Sequence, residues 1–114
     1  MSTARKHSEK REDPACEKIR DVLSHLHELH HKVSRSETFT SPQKEVDKYA
    51  KKLIVILGEH HDSIGELDVH IKKALIDLTE IPYMHPPMLK IAFEVAIKAA
   101  MRNLQVFLDH AMMI

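Results

Sequence analysis

Apolar residues recur along this chain at steps of three and four, in four runs separated by short polar or proline-containing stretches. The first run is Ile19, Val22, Leu26, Leu29 and Val33, widened by Leu23, a seam on one face of a helix. It opens at Asp13-Pro14, where a carboxylate can cap free backbone N–H groups and proline suits the first helical position. It ends near Ser34, where Ser34, Ser36, Thr38 and Thr40 break the pattern. The second run opens at Ser41-Pro42 by the same device. It places Val46, Tyr49, Ala50, Leu53 and Leu57 on one face, flanked by Ile54 and Ile56, and is expected to stop at Gly58. The third is Ile64, Leu67, Ile71, Ala74, Leu78 and Ile81, started by a capping box in which Ser63 accepts one orphan N–H and Glu66 reaches back to another. Pro82 disfavours helical geometry at Ile81, so Tyr83-Met84-His85-Pro86-Pro87 reads as a turn.

The last run, Met88 to Ile114, differs in kind. Its polar residues Lys90, Glu94, Lys98, Arg102, Gln105 and Asp109 follow one another at steps of four, four, four, three and four, a narrow stripe with Asn103 and His110 beside it. Nearly everything between them is apolar. A helix apolar on most of its circumference needs neighbours on several sides, so this one is expected to be the central stave. Four helices joined by short loops predict an all-α fold: an antiparallel four-helix bundle, up-down-up-down, with a long apolar C-terminal helix. Met1 to Glu12 carries no periodic apolar face and is expected to be a disordered polar tail, which leaves 13–114 as a single helical domain.

Composition narrows the function classes. A chain of 114 residues suffices for one core, and 17 Lys and Arg balance 17 Asp and Glu. No net field therefore draws it towards nucleic acid or an anionic membrane. Arg5, Lys6, Lys10 and Arg11 are interleaved with Glu9, Glu12 and Asp13, which favours a solvated tail over a phosphate-contacting arm. The single cysteine, Cys16, excludes an internal disulfide and reads as a small residue near the core edge. With no apolar run after the basic N-terminal residues, no secretory signal is expected, and the predicted location is intracellular, cytoplasmic or nuclear. Lys90, Glu94, Lys98, Arg102 and Asp109 make the last helix too costly to insert in lipid.

Ten histidines invite a metal reading. His27-Glu28-Leu29-His30-His31 matches the H-E-x-x-H string of zinc peptidases, in which two His one turn apart hold zinc and Glu activates water. At about 100° per residue, however, His31 lies nearly opposite the Ile19-Leu26-Val33 seam and the trio faces water. Glu28 and His31 have the Glu-x-x-His spacing of di-iron bundles, but on the wrong face. His25, His30 and His70 flank the seams and, with His60 or His61, are open to closing a surface site. No Gly-rich phosphate loop, Ser-His-Asp order or carboxylate pair is present. The five aromatics, Phe39, Tyr49, Tyr83, Phe93 and Phe107, lack the basic, stacked setting that single-stranded nucleic acid requires.

From Leu67 to Leu104 the apolar pattern, with Leu75, Leu78, Ile81, Ala92, Ala96 and Ile97 at packing positions, resembles the last two helices of BAG-type chaperone-cofactor domains. That resemblance implies a helical module docking a chaperone through a charged surface. Here Thr79, Phe93 and Met101 stand where that surface has Asp, Arg and Gln. Leu75-x-x-Leu78-x-x-Ile81-Pro82 is likewise similar to the helical N-terminal domain of transcription elongation factors, without its later Gly turn. One short pattern fits two unrelated families, so neither is assigned.

The expected function is a non-enzymatic helical interaction module, an adaptor or a self-associating protein, needing no cofactor and binding neither nucleic acid nor membrane. The expected partner-binding residues are Phe107, Ala111, Met112, Met113 and Ile114. A final helix of about 40 Å should overhang neighbours of about 25–32 Å and present an apolar, methionine-rich tip. The alternative is a zinc- or iron-binding bundle of His and carboxylate ligands.

Overall fold

The computed structural model describes the backbone of residues 13–113 and the side chains of 13–112. The tail expected at 1–12 and, within the expected docking tip, the side chain of Met113 and all of Ile114 lie outside the described residues. Among the described residues the fold is all-helical, with four principal helices. These are α1 (Pro14–Arg35), α2 (Gln43–Glu59), α4 (Asp68–Thr79) and α5 (Pro86–Met113), with a one-turn α3 (His61–Ile64) and a 3-10 turn (Gly65–Leu67) between α2 and α4.

Each helix forms where apolar periodicity and local chemistry agree. At the start of α1, Asp13 accepts a hydrogen bond from the Ala15 N–H at 2.8 Å, and Pro14 occupies the first position, where a missing donor costs nothing. The seam Ile19, Val22, Leu23, Leu26, Leu29 and Val33 is buried throughout, and Cys16 is buried beside it. In α2, Val46, Tyr49, Ala50, Leu53 and Ile56 are buried. The Ser41 hydroxyl accepts from the Gln43 N–H at 3.3 Å. Ile54 is exposed rather than flanking the core, and Leu57 is only partly buried against it.

Two expected helix ends are corrected. Gly58 does not stop α2, which runs on to Glu59. The His60 N–H still bonds the Ile56 carbonyl, and the Ile64 N–H bonds His60 in the next turn. The reversal falls at Gly65, with φ 56° and ψ −135°, a conformation an L side chain resists. The Ser63 capping box is absent too. Ile64 is anchored in the core, which fixes Ser63 in the preceding turn, where its hydroxyl donates to the His60 carbonyl at 3.2 Å. Helix α4 begins at Asp68 with no side-chain cap, so packing of Ile71, Ala74 and Leu78 must hold it. It ends at Thr79, before Ile81, where Pro82 disfavours helical geometry as expected.

Helix α5 begins at Pro86, two residues earlier than expected, with the Leu89 N–H bonded to the His85 carbonyl at 2.8 Å. Its buried residues, Phe93, Ile97, Ala100, Leu104, Phe107 and Leu108, form one seam rather than a jacket around the helix. It packs chiefly against α4 and α1, while α2 packs against α1 and α4. The expectation of burial on most sides therefore fails: Met88, Ile91 and Val95 are exposed.

The two glycines give opposite tests. Gly58 sits in a helix with open space at its missing Cβ, whereas Gly65 has equal space but a forbidding φ. Gly58→Ala is expected to raise unfolding free energy by about 0.5–1 kcal/mol. Gly65→Ala is expected to lower it by about 1–3 kcal/mol. Urea denaturation measures both, and shifts of the same sign would show that the chain reversal is misplaced.

Candidate functional site

Helix lengths set where apolar surface is left uncovered. Helix α4 has 12 residues and α5 has 28, about 18 Å against 42 Å. The two meet at fixed points: the His70 and His110 rings stack with centroids 5.2 Å apart, and the Asn103 amide donates to Asp77 at 2.7 Å. These contacts lay α4 beside the C-terminal half of α5. From Thr79 the chain then returns to Pro86 through six residues without regular structure, Glu80–His85, enough to reach about 20 Å when extended. Ile81 packs partly on the core, but Tyr83 is 92% exposed.

The outer side of the N-terminal half of α5 is open to solvent. Met88, Ile91 and Val95 repeat there at steps of three and four, at 55%, 51% and 63% exposure, with Met84 of the connector also exposed. Scattered exposed apolar residues are ordinary, but an aligned run of large ones on one helix face is the feature that marks interaction sites. On the inner side the same stretch is secured. Phe93 is buried with Phe39 against it, ring centroids 6.1 Å apart, and the Lys90 ammonium donates to the Ser36 carbonyl at 3.3 Å.

The expected docking tip has a different character. Phe107 is 2% exposed and belongs to the core, and Ala111 is partly buried against it. Met112 is exposed, but α1 reaches it: the Arg20 guanidinium donates to Met112 Sδ at 3.3 Å. A cleft of about 490 Å³ there is lined by Arg20, Ser24, His27, Gln105 and Asp109 around Leu23, Leu108 and Met112. The expected overhang at this end is therefore flanked by the N-terminal part of α1, which starts at Pro14 as the sequence pattern predicts. A second open groove, about 500 Å³ between α1 and α2, has Val22, Val55 and Ile56 as its floor and charges of both signs on its rim.

The histidines are spread over the surface. His27, Glu28 and His31 are exposed, and the His31 ring nitrogen pairs with Arg35 at 3.1 Å. His25 stacks on Tyr49 at 5.6 Å, helping to join α1 to α2, and hydrogen-bonds the Asp21 carbonyl. His60 buries its Nε2 without a hydrogen-bond partner, 4.0 Å from the Glu59 carboxylate. His70 meets His110, a pairing not foreseen, rather than His60 or His61. Among the described residues no three His, Cys, Asp or Glu side chains converge to hold a metal ion.

No family model, no curated protein and no solved structure matches this chain. The site therefore rests on geometry. The Met88-Ile91-Val95 face is not visible in the sequence pattern, which predicts neighbours on several sides of this apolar stretch and leaves only the polar stripe open.

The His70–His110 stack predicts a pH dependence. Burial lowers the His70 pKa, and the neighbouring His110 ring and Lys73 ammonium lower it further. The folded state thus prefers neutral His70, and the unfolded chain takes up its proton first. The stability this provides is complete above the usual imidazole value of about 6.5 and is lost as pH falls through the lower folded value. Urea midpoints should fall on acidification below about pH 6.5, and less steeply in His70→Gln. Identical slopes would remove His70 from the account.

Proposed function

We propose that this protein is a non-enzymatic intracellular interaction module, an up-down-up-down bundle whose working surface is the outer face of the N-terminal half of α5. The observation that carries this reading is the exposed Met88-Ile91-Val95 run beside Tyr83 and Met84. Helix order is supported by cross-helix contacts that run in opposite senses. Lys18 pairs with Glu59 and His25 with Tyr49, Arg20 with Met112 and Lys90 with Ser36, His70 with His110 and Asp77 with Asn103. No helix among the described residues is long and apolar enough to cross a membrane, so the exposed run is read as a face for protein.

The C-terminal end, with Met112 over its cleft, is a subsidiary contact in this reading. Methionines suit adaptable docking in either place, because an unbranched, polarisable side chain fits varied surfaces. Exposure of Met88 and Val95 means that neither is required for folding, so function and stability are separable at these positions.

The test is a Met88→Glu/Val95→Glu double variant. The wild-type face must be either free or occupied, so the protein will either bind an apolar dye such as ANS or sediment above monomer mass. The variant is expected to lose whichever property is present, with an unchanged far-UV circular dichroism spectrum. A wild type that shows neither property, or a variant that keeps it, would overturn the proposal.

A further inference from the structure

We propose that Ser41 is a phosphorylation site, modified by a proline-directed Ser/Thr kinase, with its phosphate held between Lys32 and the start of α2. Residues 36–42 join α1 to α2 without regular structure, and Ser41 is exposed among them. It is the one Ser or Thr in the sequence that is followed by proline, and Lys44 stands three positions after it. Proline brings no N–H and disfavours helical geometry in the residue before it. A kinase groove that offers no acceptor for a backbone N–H at that place selects proline, because any other residue would leave its donor unpaired. Lys44 adds a cation for an anionic subsite. Gln43 and Lys44 belong to the first turn of α2, which has no side-chain cap, so this turn can open to present the motif. The Ser41 oxygen attacks the terminal phosphorus of a nucleoside triphosphate. A new O–P bond forms as the bond to the bridging oxygen breaks. The nucleoside diphosphate leaves, and the hydroxyl proton passes to the kinase's catalytic carboxylate.

The surroundings of Ser41 suit the product. Ser41 and Lys32 line one small cleft of about 130 Å³, with Leu29, Val33 and Phe39 as its apolar part. Lys32 lies in the last turn of α1 and makes no salt bridge among the described residues. On the other side, the Gln43 N–H already points at the Ser41 side chain, at 3.3 Å from its oxygen. A phosphate there carries about −1.5 to −2 charge at pH 7 and meets the positive end of the α2 dipole, with Lys44 beside it. Glu45 is the acidic residue lining the cleft, opposed by these two lysines. Phosphorylation thus ties the end of α1 to the start of α2 and steadies the connector that seats Phe39 on Phe93.

The full chain, incubated with a proline-directed Ser/Thr kinase and Mg·ATP, should gain one phosphoryl group by intact mass, placed on Ser41 by peptide mass spectrometry. Ser41→Ala should gain none. The phosphorylated protein should melt about 4 °C above the unmodified chain, and phosphatase should reverse that rise. Lys32→Met, at an exposed position, should be phosphorylated equally but lose much of the rise. No incorporation, or incorporation that persists in Ser41→Ala, would overturn the site. An unchanged or lower melting temperature, or a full rise in Lys32→Met, would overturn the role given to the cleft.

Discussion

The packing of one seam, Phe93, Ile97, Ala100, Leu104, Phe107 and Leu108, against α1 and α4 is the contact on which the rest of this structure depends. Fully burying side chains of this size contributes about 1.5–3 kcal/mol each. Because α5 is 28 residues long, the seam packs against both α1 and α4. The N-terminal end is held by Phe39 and Ser36 from the α1–α2 connection, the C-terminal end by His70 and Asp77 of α4. Helix α4, short and without a side-chain cap, exists because this surface is there to receive Ile71, Ala74 and Leu78.

The same length that makes α5 a scaffold leaves it partly bare. Its inner side is continuous, while its outer side stays open along the helix, with Met88, Ile91 and Val95 in the N-terminal half followed by exposed Arg102 and Asp109 in the C-terminal half. Glu80–His85 crosses back in irregular conformation, with Tyr83 turned to solvent, and Met88, Ile91 and Val95 remain uncovered. An apolar helix face held rigidly from behind is well suited to binding, since little side-chain or backbone ordering remains to be done on contact.

Much of the fold was legible in the sequence because it depends on local periodicity. The three-four spacing of Ile19 to Val33 marks the buried face of α1, and Asp13-Pro14 marks its start, since capping requires only neighbouring residues. What failed depended on longer-range geometry. Gly58 is a sound stop signal in isolation, but the chain has its left-handed turn at Gly65 because Ile64 must first reach the core. Composition alone could not separate a helix buried on all sides from one with a buried seam and an exposed apolar back. That distinction is set by where α1 and α4 pack on α5, which leaves one buried seam and an open back. The pairing of His70 with His110 likewise follows from helix register, which no single run of sequence contains.

The central claim is that contact is made through the N-terminal half of α5 rather than its C-terminal end, and methionine oxidation reports both places in one experiment. Met88 and Met112 are both exposed and lie at opposite ends of the helix, so mild peroxide should oxidise both in dilute protein. Peptide mass spectrometry across a concentration series, or with a bound partner, then reads which one is shielded. The account predicts protection of Met88 with Met112 still reactive. Protection of Met112 with Met88 unchanged would contradict it.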